Sequence, residues 1–161
     1  SKFSEIKKYE FDLKYTIIMY LEGLSWGLIL IIFLNGFTYF NSTYQGIIVD
    51  DYLLSFYFCV GAGIWEELLF RLICINSIFF LLKYFRFSIL LSLILSFTIS
   101  SVLFSLFHYI GTMGDAFTIY SFIYRFLGGF YLSILYYYRG IGISMMTHFV
   151  YDFILITLPI L

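Results

Sequence analysis

Charge is the scarcest property of this sequence. Only 12% of the 161 residues are Asp, Glu, Lys or Arg, whereas a soluble domain normally carries about 25%. Hydrophobic residues make up 62% of the chain, and proline occurs once. A composition this apolar predicts an integral membrane protein rather than a soluble domain.

Basic residues and cysteines are also few. The formal net charge of -1 leaves no cationic excess for a phosphate backbone, so we expect no nucleic-acid partner. The two cysteines, Cys59 and Cys74, form no C-x-x-C pair. This spacing argues against a zinc finger or a disulfide scaffold, and we expect buried, unreactive thiols.

The apolar residues are gathered into five stretches, each near or above the roughly 20 residues that cross a bilayer. They cover residues 15–33, 52–82, 87–110, 117–138 and 141–161. The connections between them are short and polar, without repeats or a linker. We therefore predict an all-α, polytopic transmembrane bundle of about five helices over residues 15–161, preceded by a cytoplasmic amphipathic segment at residues 1–14.

Positive residues occur in alternate connections. Lysines precede the first stretch, Lys83 and Arg86 follow the second, and Arg139 follows the fourth, while the other connections contain only acids. The positive-inside rule then predicts a multi-pass protein of the cell membrane with a cytoplasmic N-terminus and an external C-terminus. The first residues lack the features of a signal peptide, so we expect sorting to depend on the first helix. Because Ser1 stands in place of an initiator methionine, we also expect processing or truncation.

Three charges interrupt the second apolar stretch. An ionised side chain at the centre of a membrane helix costs about 2.5–3.5 kcal/mol, so such groups are kept for pairing or for chemistry. Glu67 and Arg71 are four residues apart, with the acid first, which favours an ion pair on an α-helix. Glu66 lies about 140° around the same helix from Arg71. It therefore faces elsewhere and needs another explanation.

The remaining polar candidates lie on two other stretches. His108 follows Phe104 by four residues, and His148 precedes Asp152 by four, so each pair shares one face of a helix. We predict that Glu66, His108 and His148 converge on one internal cavity, with polar atoms within about 8 Å of each other. The alternative is that each of these side chains hydrogen-bonds to a neighbouring backbone group or hydroxyl and only fixes how the helices pack.

Three motifs follow one another along these stretches, namely Glu66-Glu67-x-x-x-Arg71, Phe104-x-x-x-His108 and His148-x-x-x-Asp152. In this order they resemble the motifs of the CAAX protease and bacteriocin-processing family, also called the Abi family. The resemblance extends over residues 55–155, which we take as the catalytic core.

This resemblance implies an intramembrane peptidase. Glu66 would activate a water for attack on a peptide carbonyl, and His108 would help to hold that water. His148 and Asp152 would bind the carbonyl oxygen as negative charge develops on it. The structural support would come from Glu67, Arg71 and Phe104.

Asp152 departs from the family pattern, which most often has Asn at this position. An ionised carboxylate cannot donate a hydrogen bond to an oxyanion. Either Asp152 is protonated, or it orients and charges His148.

No cofactor is expected, although a zinc site is an alternative. Glu66, His108, His148 and Asp152 would supply nitrogen and oxygen ligands that zinc accepts, but the chain has no H-E-x-x-H motif. A catalytic zinc would also leave no separate base.

Two classes of function remain open. The first is a bacterial peptide-processing or bacteriocin self-immunity peptidase that acts on a membrane-associated peptide or protein within the lipid bilayer. The second is a non-catalytic immunity or interaction protein that binds a bacteriocin, a receptor or a kinase.

Helix lengths set a condition on the predicted site. Glu66 lies roughly 25 Å along its helix from Lys83, and His148 roughly 13 Å along its helix from Arg139. Upright helices would keep these side chains apart. Helix tilt, or a turn at Arg139 that is drawn into the protein, would bring them together.

Other residues have simpler interpretations. Glu22 and Arg125 are isolated charges that either pair with each other or extend toward the membrane surface. Four glycines are expected at close contacts between helices; they are Gly61, Gly63, Gly128 and Gly129.

Overall fold

Five helices make up the part of the chain that the computed structural model describes, residues 13–38, 52–111 and 114–157. They are α1 (Leu13–Thr38), a second helix in three segments, α4 (Ile89–Phe107), α5 (Ile119–Arg139) and α6 (Ile141–Thr157). The second helix consists of α2 (Tyr52–Glu66), a π-helix (Glu67–Ile75) and α3 (Asn76–Tyr84). The described ranges contain no strand. The predicted all-α bundle is thus confirmed, whereas residues 1–12 of the predicted N-terminal segment lie outside the described residues.

The surface of the bundle is apolar. Residues 13–36 and 89–107 are long and apolar enough to cross a membrane. Large side chains such as Ile32, Leu53 and Leu90 are exposed on the outside. Apolar surface on this scale is unusual for a soluble monomer and is suited to contact with lipid.

The second helix differs from the uninterrupted α-helix implied by the sequence pattern. Its π-helix begins directly after Glu66 and spans nine residues. Hydrogen bonds in a π-helix join residues five apart, which loosens the turn. Side chains add donors to two of its carbonyls, because Ser100 Oγ donates to Phe70 O at 2.7 Å and Asn76 Nδ2 donates to Leu72 O at 2.6 Å. Such donors are valuable where lipid cannot replace a hydrogen bond.

Two of the four glycines occupy tight helix contacts as expected. A Cβ on Gly63 would lie 3.1 Å from Met145 O of α6, and one on Gly129 would lie 2.9 Å from the Phe104 ring of α4. A Cβ on Gly128 would make only an ordinary contact, and one on Gly61 would meet nothing within 4 Å. The prediction for Gly61 is therefore wrong, because no helix of the described residues packs against its position.

The closest glycine contacts join α1 to α6. A Cβ on Gly23 would lie 2.4 Å from Met146 Cγ, and one on Gly27 would lie 2.7 Å from Val150 Cγ1. The spacing Gly23-x-x-x-Gly27 is a known signal for close helix association in membranes. It could have been recognised from the sequence.

The two isolated charges, Glu22 and Arg125, do not pair with each other. Glu22 accepts hydrogen bonds from Arg139, at 2.6 Å for Nη2 to Oε2. Arg125 forms a salt bridge with Asp115. The proposed pairing of Glu22 with Arg125 is wrong, because the helix bundle places each charge beside a nearer partner.

We expect Gly27→Leu to destabilise the bundle by about 1–3 kcal/mol, because the added side chain overpacks the contact with Val150. Gly36→Leu is the matched control, since Gly36 also lies in α1 and has nothing within 4 Å of its Cβ position. Thermal unfolding in detergent checks both variants. Equal stability of the two would show that α1 does not pack on α6 through Gly27.

Candidate active site

Glu66 is the last residue of α2, at the junction with the π-helix. Its side chain is 16% exposed, and Oε2 lies 3.8 Å from His148 Nε2. Among the described residues, Oε2 is buried without a hydrogen-bond partner. The described residues therefore leave the hydrogen-bonding capacity of this oxygen unused.

Glu67 has the opposite environment. Its carboxylate is fully buried and lies 2.9 Å from Arg71 Nη1. His148 Nδ1 lies 2.9 Å from Oε1, and Ser144 Oγ donates to Oε2. The predicted pair of Glu67 and Arg71 is present. It is an ion pair without hydrogen-bond geometry, because Nη1 has no hydrogen-bond partner.

His148 of α6 lies between the two adjacent glutamates. Nδ1 faces Glu67, while Nε2 faces Glu66 at 3.8 Å and Asp152 at 3.4 Å. Because a carboxylate only accepts, Nδ1 carries the hydrogen that is donated to Glu67. The other nitrogen is then directed at the two carboxylates that line the site.

His108 caps the C-terminal end of α4. Its Nδ1 donates to Phe104 O at 2.9 Å, which leaves Nε2 free to face a ligand. The Phe104 ring centroid lies 4.9 Å from that of His108 and 5.8 Å from that of His148. The imidazoles of His108 and His148 therefore contact the same aromatic ring. The distance between the two imidazole centroids cannot exceed the sum of their distances to Phe104.

The condition set by helix length is met. Glu66 and His148 are in contact, and Arg139, at the turn before α6, is bound to Glu22. The turn that contains Arg139 is therefore bound to α1, and Glu66 and His148 meet although upright helices would keep them apart.

Two contacts at the site were missed from the sequence. Glu67 was expected to pair only with Arg71, yet it also binds His148 and Ser144. Both partners lie on α6, and spacing within the second helix does not specify contacts to another helix. Ser144 precedes His148 by four residues, and this spacing is the signal that would have placed both on one face of α6.

The described residues contain no group of three or more His, Cys, Asp or Glu side chains with the geometry to hold a metal ion. The zinc alternative therefore has no preformed ligand set in this part of the chain.

The chain matches a known protein family. A family model described as type II CAAX prenyl endopeptidase Rce1-like matches residues 47–154. This range includes all three motifs and corresponds closely to the catalytic core expected from the sequence. No curated protein and no solved structure matches the chain.

We expect Glu67→Gln to destabilise the protein by about 3–5 kcal/mol, because it leaves Arg71 buried without its counter-charge. Glu66→Gln is the matched control, since it makes the same chemical change one residue away, where Arg71 is not paired. Unfolding in detergent and membrane abundance check the two variants. Similar losses for both would contradict the assignment of separate roles to the two glutamates.

Proposed function

Because the chain belongs to the Rce1-like family of type II CAAX prenyl endopeptidases, we propose that it is an intramembrane peptidase in which Glu66 activates the attacking water. The family is one of membrane peptidases, and the apolar helices agree with a membrane protein. The observation that carries the proposal is the buried Glu66 carboxylate, which faces His148 while the neighbouring Glu67 is fully bound.

In the proposed reaction, Glu66 takes a proton from a water while the water oxygen attacks the peptide carbonyl. Nε2 of His148, beside Asp152, faces the carbonyl oxygen and stabilises its developing charge. The proton then passes from Glu66 to the leaving amine as the C–N bond breaks. His108 holds the water on the side of the site next to Phe104.

Glu67 acts on this reaction through His148. A carboxylate on Nδ1 fixes the orientation of an imidazole and stabilises its charged form, as in other hydrolytic sites. With Nδ1 held by Glu67, the proton on Nε2 is directed toward the carbonyl oxygen. In this arrangement Asp152 need not be protonated, because His148 supplies the donor.

The proposed substrate is a membrane-associated peptide or protein. We place the enzyme in bacterial peptide processing or bacteriocin self-immunity, with water as the second reactant and no metal cofactor. The alternative, a non-catalytic protein that binds a bacteriocin, a receptor or a kinase, requires the motif residues only for packing.

Exchange of Glu66 for Gln should lower turnover by at least about a hundredfold, because a general base contributes about 10²–10⁴-fold. His108→Ala and His148→Ala should show comparable losses. The measurement is processing of a peptide encoded beside this chain, or immunity to it, normalised to the membrane abundance of each variant.

If Glu66→Gln inserts well and retains full function, the peptidase proposal is wrong and the non-catalytic binding function remains. A chelator should not change the wild-type rate. Inactivation by a chelator, with recovery on addition of zinc, would replace the glutamate mechanism by a metal-dependent one.

We also propose a multi-pass arrangement with a cytoplasmic N-terminus, supported by the alternation of basic connections. Tyr84→Cys and Asp115→Cys are made separately in a variant without Cys59 and Cys74. In this topology, position 84 faces the cytoplasm and position 115 faces the outside of the cell. A membrane-impermeant thiol reagent should label only the cysteine at Asp115. Labelling of both, or of the cysteine at Tyr84 alone, would contradict this topology.

A further inference from the structure

A nearly buried arginine lies at the end of the bundle that carries His108. Arg125, in the second turn of α5, has a side chain that is 10% exposed, and its salt-bridge partner Asp115 is 43% exposed. The cation is therefore fixed within the bundle, while the acid that balances it lies at the surface.

The guanidinium is held by groups other than Asp115. Nη1 donates to Ser121 Oγ at 2.7 Å, and the guanidinium carbon lies 5.2 Å from the centroid of the Tyr109 ring. Tyr109 OH also donates to Ser121 Oγ at 2.9 Å. Because the guanidinium is positioned in advance, a second anion could bind to it at a small cost in conformational entropy.

Asp115 can release Arg125 without movement of a helix. It lies in the segment between α4 and α5, where its backbone N–H donates to His108 O at 3.0 Å. Rotation of the Asp115 side chain would break the salt bridge to Arg125 while this backbone contact remains. The planar guanidinium has the geometry to bind another carboxylate through two hydrogen bonds.

The arginine is close to the proposed catalytic groups along the chain and across helices. Tyr109, which contacts Arg125, directly follows His108. Ser105 Oγ donates to Phe122 O at 2.8 Å and so joins α4 to α5 at the same end. Arg125 therefore lies at the same end of the bundle as His108.

We propose that Arg125 binds a carboxylate of the peptide substrate, which takes the place of the Asp115 carboxylate. The carboxylate comes either from the peptide C-terminus or from an acidic side chain. This inference rests on the proposed function for the identity of the ligand, but it adds a binding residue outside the three motifs.

The test uses Glu66→Gln protein in detergent micelles, so that binding is measured without turnover. Three fluorescent peptides share one apolar sequence: one has a free C-terminal carboxylate, one is amidated, and one is amidated with a glutamate near its end. Fluorescence anisotropy should show about tenfold tighter binding of one charged peptide than of the neutral peptide, as one charge-assisted interaction provides. Which charged peptide binds more tightly identifies the source of the carboxylate.

Substitutions at Asp115 and at Arg125 should change the affinity for the preferred charged peptide in opposite directions. Asp115→Asn should tighten binding of the preferred charged peptide and leave the neutral peptide unchanged, because the internal competitor is removed. Arg125→Gln should abolish the preference, while Arg125→Lys should retain part of it. Arg139→Gln, a change of an exposed arginine at the far end of α5, is the matched control and should retain the preference.

Equal binding of charged and neutral peptides by folded protein would overturn the inference, as would a preference that survives Arg125→Gln. A different result would assign the site to a lipid phosphate instead. In that case phosphatidylglycerol, but not phosphatidylcholine, would displace all three peptides, and Arg125→Gln would abolish this displacement. A carboxylate preference in protein that cleaves no peptide would refute the peptidase alone. Cleavage without that preference would refute the Arg125 site alone.

Discussion

The rest of this structure depends on one buried carboxylate, that of Glu67. Removing a charge from water without partners costs several kcal/mol, so a buried carboxylate is retained only where several partners meet it. Arg71 comes from the same helix, whereas His148 and Ser144 come from α6. These contacts fix the register of α6 against the second helix. Because Glu66 is the adjacent residue, the same register places its carboxylate beside the other nitrogen of His148.

Arg71 extends this constraint to the remaining helices of the site. Its Nη2 donates to Gly129 O of α5 at 3.3 Å, and its guanidinium lies 4.5 Å from the centroid of the Phe104 ring of α4. The absence of a side chain at Gly129 allows Phe104 to approach α5 closely. Phe104 in turn contacts His108 and His148. The ion pair thus stabilises a contact network that reaches both imidazoles.

Polar groups elsewhere in the bundle permit this close packing in an apolar medium. Five serines of α4 are buried, namely Ser92, Ser96, Ser100, Ser101 and Ser105. Small residues let helices approach, and their hydroxyls supply donors to carbonyls that lipid cannot satisfy. Ser100 serves the π-helix in this way. The irregular backbone beside Glu66 is therefore supported from α4, which also carries His108.

The helical class, the pairing of Glu67 with Arg71 and the shared face of His148 and Asp152 could all be predicted from the sequence. Each of these follows from composition or from spacing within one helix, and helix geometry converts such spacing directly into position. Only the tertiary structure shows that Glu67 also binds His148, that Glu22 contacts Arg139, and that Glu66 lies beside His148. Those contacts join different helices, so they depend on tilt, on the π-helix and on glycine packing. Spacing along one chain segment does not specify how far two helices slide past each other, and a shift of one turn, about 5.4 Å, would separate Glu66 from His148.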